Sequence, residues 1–335
     1  MPLLDKVFQY QSVSIVGMEK NTGKTECLKY ILAGSAASGR KVGITSIGID
    51  GESCDQVTGT AKPQIVLQQG MLFVTSEKFF HEKKLAAEII DVSDYRTALG
   101  RLVTARAITP GKVILSGPTS TGRIREVLRQ MRNYGAETCF VDGALSRKSL
   151  GSPAVTDSMI LTTGAALSPH LPELIKKTTF VFRLINIEKF VTHLENQLLE
   201  MNNGIWALDD SQQLHDLNIH SALLLAKNKS RLFQFGHTLF VSGIVSDNLL
   251  NTLRMQPDIS KTQIIVKDFT KIFVSPESLN GYLQKGGRIS VLLRPQLIGV
   301  CLNPTSPSGY TMNSEQACNA LSERLGIPVW DIRRT

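Results

Sequence analysis

Long hydrophobic runs are missing from this 335-residue sequence, and no low-complexity tract or internal repeat is visible. No stretch approaches the roughly 18 uninterrupted apolar residues of a membrane-spanning helix. The first residues also lack the basic segment, apolar run and cleavage site of a secretory signal. The apolar fraction of 42% and the charged fraction of 20% are those of an ordinary globular chain. We therefore expect a folded cytoplasmic protein with no membrane partner.

Cysteine is scarce as well. The five cysteines are scattered, odd in number and never in C-x-x-C spacing, which indicates neither a zinc knuckle nor a disulfide framework. We expect them to be reduced thiols, most of them in the core. They are Cys27, Cys54, Cys139, Cys301 and Cys318.

Aromatic residues make up only 6% of the chain, and they do not alternate with basic residues. The net charge of +8 comes from lysines and arginines that are spread thinly along the sequence. Such a distribution is more typical of a solvated face, or of groups that handle small anions, than of a nucleic-acid-binding surface. Nucleic acid is therefore an unlikely partner.

The most informative motif is "IVGMEKNTGKT", residues 15–25. A short β-branched run precedes it, and "KTECLKYILAGSAASG" follows with apolar residues at helical spacing and a natural stop at Gly39. The order strand, glycine-containing turn, helix is the context in which a phosphate-binding loop works. The alternative is a strand-to-helix turn that contains Gly-Lys-Thr without a function.

In the functional interpretation, backbone N–H groups of Lys20, Asn21, Thr22 and the residues up to Thr25 surround the phosphates of a nucleotide at the positive end of a helix. We expect Lys24 to reach the β- and γ-phosphate oxygens as the catalytic cation, and Thr25 to bind Mg²⁺ through its hydroxyl. A side chain at position 23 would block the approach of the backbone to phosphate, which explains Gly23.

The loop departs from the usual G-x-x-x-x-G-K-[ST] pattern, because Met18 stands where the first glycine belongs and Gly17 is one residue early. This wider spacing resembles the loop of dethiobiotin synthetase, and "KNTGKT" resembles that of the molybdopterin-guanine dinucleotide protein B family. Both belong to the P-loop branch that includes the MinD-like ATPases. The lysine that marks the MinD type would fall at Glu19, so this chain does not carry it.

The expected cofactors are ATP and Mg²⁺. The guanine-reading pattern N-K-x-D is absent, since "NKSR" at residues 228–231 ends in arginine, and this favours ATP over GTP. In the P-loop branch named above, an acidic residue just after the second strand commonly contacts the metal or orients the attacking water. Asp50 holds that position as a catalytic and metal-binding candidate, although Asp50-Gly51 could equally form a simple turn.

A second metal-binding candidate is Asp142, at the end of the apolar run in "ETCFVDGAL". We expect it to bind Mg²⁺ through water; the alternative is a turn-capping role before Gly143. The loop around Asn303 and Gly309 follows another apolar strand, and it either holds a ligand or partner or serves only as a connection.

Strands alternate with helical segments over residues 12–178, which predicts an α/β fold with a doubly wound, mainly parallel sheet of the P-loop NTPase type. We expect residues 1–178 to form the nucleotide-binding domain. Residues 179–335 alternate in the same way, and we expect a second, smaller α/β domain there that binds a partner. No second phosphate loop or nucleophile motif is visible in that half.

Several segments together are similar to the B subunit of the lysine 5,6-aminomutase reactivase family. They are "VGMEKNTGKTECLKYIL", "GITSIGIDGESCDQVTGTAKP", "FVDGALSRKSLGSPAVTDSMILTTGAAL" and "GVCLNPTSPSGYTMNSEQACNALSERLGIPVWDI". The resemblance implies a reactivating factor for a B12-dependent aminomutase in amino-acid fermentation, with a MutS-like ATPase subunit as partner. It also implies that nucleotide hydrolysis drives a conformational switch. The competing class is an ATP-dependent ligase or kinase in the manner of dethiobiotin synthetase.

Overall fold

The structure of the chain is a computed structural model, and it describes residues 2–48, 64–144, 153–219 and 231–334. The chain divides into two compact units. Unit 1 comprises Met1–Thr179 and Pro295–Thr335, and unit 2 comprises Phe180–Arg294. Both units contain helices and strands, so the predicted α/β class is confirmed.

Helices and strands are numbered along the whole chain. The helices are α1 (Pro2–Val7), α2 (Lys24–Ala37), α3 (Glu77–His81), α4 (Thr121–Asn133), α5 (Leu171–Ile185), α6 (Glu195–Glu200), α7 (Asp247–Arg254), α8 (Pro276–Gln284) and α9 (Ser314–Leu325). The strands up to residue 164 are β1 (Ser12–Gly17), β2 (Val42–Ser46), β3 (Ile65–Leu67), β4 (Leu72–Ser76), β5 (Ala87–Thr97), β6 (Gly100–Ala107), β7 (Gly111–Val113), β8 (Thr138–Ala144) and β9 (Ser158–Gly164). The later strands are β10 (Ile205–Leu208), β11 (Leu214–Ile219), β12 (Thr238–Val241), β13 (Val245–Ser246), β14 (Gln263–Val266), β15 (Ile272–Phe273), β16 (Arg288–Val291), β17 (Gln296–Asn303) and β18 (Val329–Asp331).

Unit 1 is built on a large sheet that, in the described residues, has nine strands in the order β18-β17-β9-β1-β8-β2-β4-β6-β5. Neighbouring strands from β18 to β4 run parallel, and β6 lies antiparallel to both β4 and β5. The mainly parallel sheet predicted from the sequence is therefore present. Because β1, β8, β2, β9 and β17 are parallel, their carboxyl ends lie at one edge of the sheet.

Helices cover both faces of this sheet. On one face, Leu28 of α2 packs in a core with Ile15 and Phe140, while on the other face Leu128 of α4 packs with Val141. Adjacent residues 140 and 141 belong to opposite cores because side chains alternate along a strand. Fully burying an aliphatic or aromatic side chain of this kind contributes about 1.5 to 3 kcal/mol relative to leaving it exposed. The sheet is thus wound on both sides, as expected.

The division into units differs from the sequence-based one in its last 41 residues, counted from 295 to 335. The sequence predicts them in the second domain, whereas β17 and β18 join the large sheet beside β9. The physical reason is that β17 is buried along most of its length and needs a parallel neighbour and a covered face. The local sequence of β17 does not show that its neighbour is β9, which lies more than a hundred residues upstream.

Unit 2 contains a sheet in the order β11-β10-β12-β14-β16. Strands β12, β14 and β16 are parallel, and β10 is antiparallel to both of its neighbours. This is the smaller α/β unit that the sequence predicts, with the narrower limits Phe180–Arg294. Across both units, none of the described helices has the length and apolar character needed to cross a bilayer.

Candidate functional site

The predicted phosphate loop lies between β1 and α2, as the motif requires. Strand β1 is buried throughout and ends at Gly17, and the helix begins at Lys24. Asn21 and Gly23 both have left-handed backbones, with φ of 62° and 96°. The first helical hydrogen bond runs from the Cys27 N–H to the Gly23 carbonyl at 2.9 Å. The N–H groups of the first turn have no acceptor within a helix, and so this turn presents donors to an anion.

The loop folds tightly back over the end of β1. The Thr22 hydroxyl is buried, donates to the Glu19 carbonyl at 2.8 Å and lies 3.2 Å from the Thr162 hydroxyl. The Met18 N–H donates to the Thr162 carbonyl at 3.0 Å. A Cβ at Gly17 would lie 3.1 Å from the Thr22 hydroxyl oxygen, closer than an ordinary contact. The closed loop therefore leaves little room for a side chain at position 17, which suits glycine.

Lys24 forms an ion pair with Asp142, which lies in the neighbouring strand β8. Their Nζ and Oδ1 atoms are 2.9 Å apart, and the side chains are 27% and 18% exposed. The approach is outside hydrogen-bonding geometry, and Oδ1 accepts no hydrogen bond from the described residues. The two residues that the sequence analysis assigned to phosphate and to metal are thus adjacent.

The other predicted site residues differ in their position and exposure, and one of them lies outside the described residues. Thr25 follows Lys24 in the first turn of α2 and is partly exposed, and Lys20 and Asn21 are exposed on the loop. Asp50 lies outside the described residues. The structure therefore brings Lys24, Thr25 and Asp142 to one edge of the sheet and leaves the role of Asp50 a prediction.

The hard oxygen atoms at this edge suit Mg²⁺. Within the described ranges there is no group of three or more His, Cys, Asp or Glu side chains that could hold a metal ion. Mg²⁺ at nucleotide sites is usually bound by only one or two protein oxygens, with phosphates and waters completing its shell. The Thr25 hydroxyl and the Asp142 carboxylate are of the right chemical type for that arrangement.

Asn303 is a site residue whose contact with the phosphate loop the sequence analysis missed. It ends β17, is 8% exposed, and donates from its side-chain Nδ2 to the Asn21 carbonyl at 3.1 Å. A Cβ at Gly23 would lie 2.9 Å from the Asn303 Cβ. The amide therefore packs against the loop and holds its backbone. The only sequence signal was an asparagine after an apolar strand, which does not reveal its partner.

Beyond Asn303 lies a cavity of about 740 Å³ within unit 1. The loop after β17 and the residues after β18 form its walls, with Thr305, Met312 and Arg333 among them. Arg333 donates from Nη1 to the Thr305 hydroxyl at 3.2 Å, which ties the two segments together. This volume is within the range typical of small-molecule sites.

Two buried thiols lie under the site. The Sγ atoms of Cys27, in the first turns of α2, and Cys301, in β17, are 3.5 Å apart. The hydrogen bond between the two thiols and complete burial raise the pKa of the Cys301 thiol well above its usual value. The four described cysteines are free and three are buried, as expected from the sequence. These buried thiols act as core side chains.

Comparisons with known proteins add no relative to this picture. No protein-family model matches the chain, and no curated protein matches it.

Proposed function

We propose that this chain is a P-loop protein that binds Mg²⁺-ATP at the β1–α2 loop and hydrolyses it as a conformational switch. The observation that supports this most is the Lys24–Asp142 pair at the carboxyl edge of a parallel sheet, beside a loop with two left-handed residues. A cation, a carboxylate and free helix N–H groups at one point are the groups that a nucleoside triphosphate and its metal require.

Different residues of the chain would bind the phosphates and the metal. Phosphate oxygens would be bound by the N–H groups at the start of α2 and by Lys24, which would exchange its contact with Asp142 for one with phosphate. Thr25 and Asp142 would hold Mg²⁺, with Asp50 as a further candidate. The metal supplies charge neutralisation on the phosphates when it is bound. The conformational switch would begin when the Lys24 ammonium moves from the Asp142 carboxylate to a phosphate oxygen.

The nucleoside end of the ligand would extend towards the 740 Å³ cavity. The cavity begins directly beyond Asn303, whose amide touches the phosphate loop. Met312 and Pro304 supply apolar surface in its wall, while Thr305 and Asn313 supply polar atoms. A base that packs between apolar groups and is read by a few polar atoms fits such a lining. ATP is the proposed nucleotide because the chain lacks the guanine-reading pattern.

The biological role that we propose follows from the resemblance to the aminomutase reactivase family. The chain would be the nucleotide-driven subunit of a factor that reactivates a B12-dependent aminomutase in the cytoplasm, together with a MutS-like ATPase subunit. A loop that reorders with the γ-phosphate suits such a role, because it converts hydrolysis into a change of shape.

Binding of ATP tests the core of the proposal. We expect Lys24→Ala to lose Mg²⁺-ATP binding in isothermal titration, because removing a charged phosphate contact costs about 1.5 to 3 kcal/mol or more. Lys29→Ala is a matched control, since Lys29 lies on the same helix and pairs on the surface with Glu26. Equal affinity of wild type and Lys24→Ala would contradict the proposal.

A ligase or kinase is retained as a second candidate because the loop resembles that of dethiobiotin synthetase. A space of about 510 Å³ in unit 1 has Arg96 and Arg123 in its wall, but Asp91, Asp94 and Glu126 line it too and Arg123 pairs with Glu126, so this cavity does not itself favour an acidic substrate. Measuring ATP hydrolysis alone, and then with the aminomutase and the MutS-like protein, separates the classes. Stimulation by the proteins supports the reactivase, whereas transfer of phosphate to a small molecule supports the second candidate.

A further inference from the structure

The nearest neighbours of Asp142 on its face of the large sheet include one hydroxyl group. Along β8, the neighbours on that face are Phe140 and Ala144, because side chains alternate along a strand. Across the sheet, Asp142 is in register with Ile15 of β1 on one side and with Ser46 of β2 on the other. Of these four neighbours, Ser46 alone has a side chain that can donate a hydrogen bond.

Ser46 and Asp142 point to the face of the sheet that is covered by α2. Two positions before them, Ile44 and Phe140 are in register with each other and belong to the core that contains the buried residues of α2. Side chains two residues apart in a strand share a face. Lys24, which begins α2 and pairs with Asp142, therefore lies on the same side of the sheet as the Ser46 side chain.

The hydroxyl of Ser46 makes a hydrogen bond that it can give up. It donates to the backbone carbonyl of Asp142 at 3.3 Å, which is long for a hydroxyl donor. The same carbonyl also accepts the Ile47 N–H at 3.1 Å. Because the carbonyl keeps that second bond, no backbone acceptor is left unpaired when the hydroxyl turns away.

The backbone around Ser46 is held in place from two sides. Strand β2 pairs with β8 up to Ser46 itself, and the Gly48 N–H donates to the Pro118 carbonyl at 2.9 Å. A Cβ at Gly117 would overlap the Ser46 carbonyl oxygen, so the segment before Pro118 packs directly on this residue. Ser46 is only 9% exposed. Its hydroxyl is therefore free to move mainly by rotation between staggered χ1 positions.

Asp142 needs a new donor if Lys24 leaves it. Its Oδ1 atom lies 2.9 Å from the Lys24 ammonium, is buried, and accepts no hydrogen bond from the described residues. A buried charged oxygen without a partner is strongly unfavourable. Neighbouring strands are about 4.8 Å apart, so a hydroxyl in register on the same face is close enough to donate to this carboxylate. Carboxylates that bind metal ions are commonly held by such a hydrogen bond.

We infer that Ser46 is a positioning residue of the nucleotide site: when the Lys24 ammonium moves to a phosphate, the Ser46 hydroxyl turns from the Asp142 carbonyl and donates to the Asp142 carboxylate. The inference rests on the proposed function, because it concerns the state in which Lys24 contacts phosphate. The new hydrogen bond has a charged acceptor and is therefore stronger than the one it replaces. Ser46 thus acts through Asp142, which it keeps oriented towards the metal.

Urea unfolding of the nucleotide-free protein tests this exchange directly. Lys24→Ala removes the ammonium from Asp142, so in that background the Ser46 hydroxyl should already donate to the carboxylate. We expect Ser46→Ala to lower the ratio of folded to unfolded protein about tenfold more in Lys24→Ala than in the wild type. Ser38→Ala is the matched control and should be additive with Lys24→Ala, since Ser38 bonds to Ser35 at the far end of α2. Additive effects of Ser46→Ala and Lys24→Ala would overturn the inference.

Isothermal titration with ATP gives a second readout. We expect Ser46→Ala to reduce the gain in ATP affinity on adding Mg²⁺ about three- to tenfold, and Ser46→Thr to retain most of that gain because threonine keeps the hydroxyl. Ser38→Ala should behave as the wild type. A full Mg²⁺ effect in Ser46→Ala would overturn the inference and leave the proposed function standing. Absence of ATP binding in the wild type would overturn the proposed function, so the two failures are distinguishable.

Discussion

The side-chain amide of Asn303 donates a hydrogen bond to the backbone carbonyl of Asn21, across 282 residues of sequence. One residue belongs to β17 and the other to the loop that precedes α2. The bond joins the proposed phosphate site to the segment that forms the neighbouring cavity. The phosphate loop is therefore held by tertiary contacts as well as by its own turn.

Removing this amide should weaken nucleotide binding without unfolding the protein. We expect Asn303→Ala to lower the affinity for Mg²⁺-ATP about three- to tenfold, the value of one ordinary hydrogen bond. Isothermal titration measures the effect. Asn133→Ala is the control, since Asn133 is exposed at the end of α4. An unchanged affinity in Asn303→Ala would mean that the loop keeps its conformation without this contact.

Two glycines with left-handed backbones should respond differently to alanine. Gly23 has φ of 96°, and a Cβ added there would lie 2.9 Å from the Asn303 Cβ. Gly39 has φ of 68°, and a Cβ added there would have no atom within 4 Å. Either substitution should cost about 1 to 2 kcal/mol of stability through the backbone alone. Only Gly23→Ala should also lose ATP binding, because its Cβ would block the approach of the loop backbone to phosphate in addition to displacing Asn303. Thermal unfolding and titration of both variants check this, and loss of binding in Gly39→Ala would contradict it.

Neutralising Asp142 should separate nucleotide binding from its dependence on metal. In Asp142→Asn the Lys24 ammonium loses its partner, so we expect ATP to bind without Mg²⁺ at least as tightly as in the wild type. The gain in affinity on adding Mg²⁺ should fall about tenfold, because a charged metal ligand is gone. Asp258→Asn, on the exposed surface of unit 2, is the control. A full Mg²⁺ effect in Asp142→Asn would exclude Asp142 as a ligand.

The buried thiol of Cys139 should make stability depend on alkaline pH. Burial raises the pKa of Cys139 from 9.0 to about 12. The thiol therefore ionises first in the unfolded chain, so its contribution is complete below pH 9 and is lost as the pH rises towards 12. The loss should approach about 1.4 kcal/mol per pH unit in this window. Urea unfolding at several pH values should show a smaller slope in Cys139→Ala, and equal slopes would contradict the assignment.

The helix α2 shows which structural features can be predicted from the local sequence. Its apolar residues at helical spacing predicted a helix packed on the core, and its buried residues are Cys27, Leu28, Ile31, Leu32 and Ser35. The same pattern gave the strand before it and the stop near Gly39, because helix periodicity and left-handed glycine conformations are local properties. Asp142 was recognised at the end of an apolar run, but the strand β8 continues through it and Gly143 to Ala144, so it does not cap a turn there. The contact between Asp142 and Lys24 could not be predicted, because the local sequence around each residue does not specify the order of the strands in the sheet.

The sequence by itself determined the alternation of strands and helices, the position of the loop between β1 and α2 and the wide spacing of the cysteines, since these depend on residues close together in the chain. The tertiary structure decided that β17 and β18 return to the first sheet and that Asn303 holds the loop. It also decided that Ser46 lies beside Asp142 in the sheet. Such features arise from packing between distant segments, where the free energy of burial selects the neighbours.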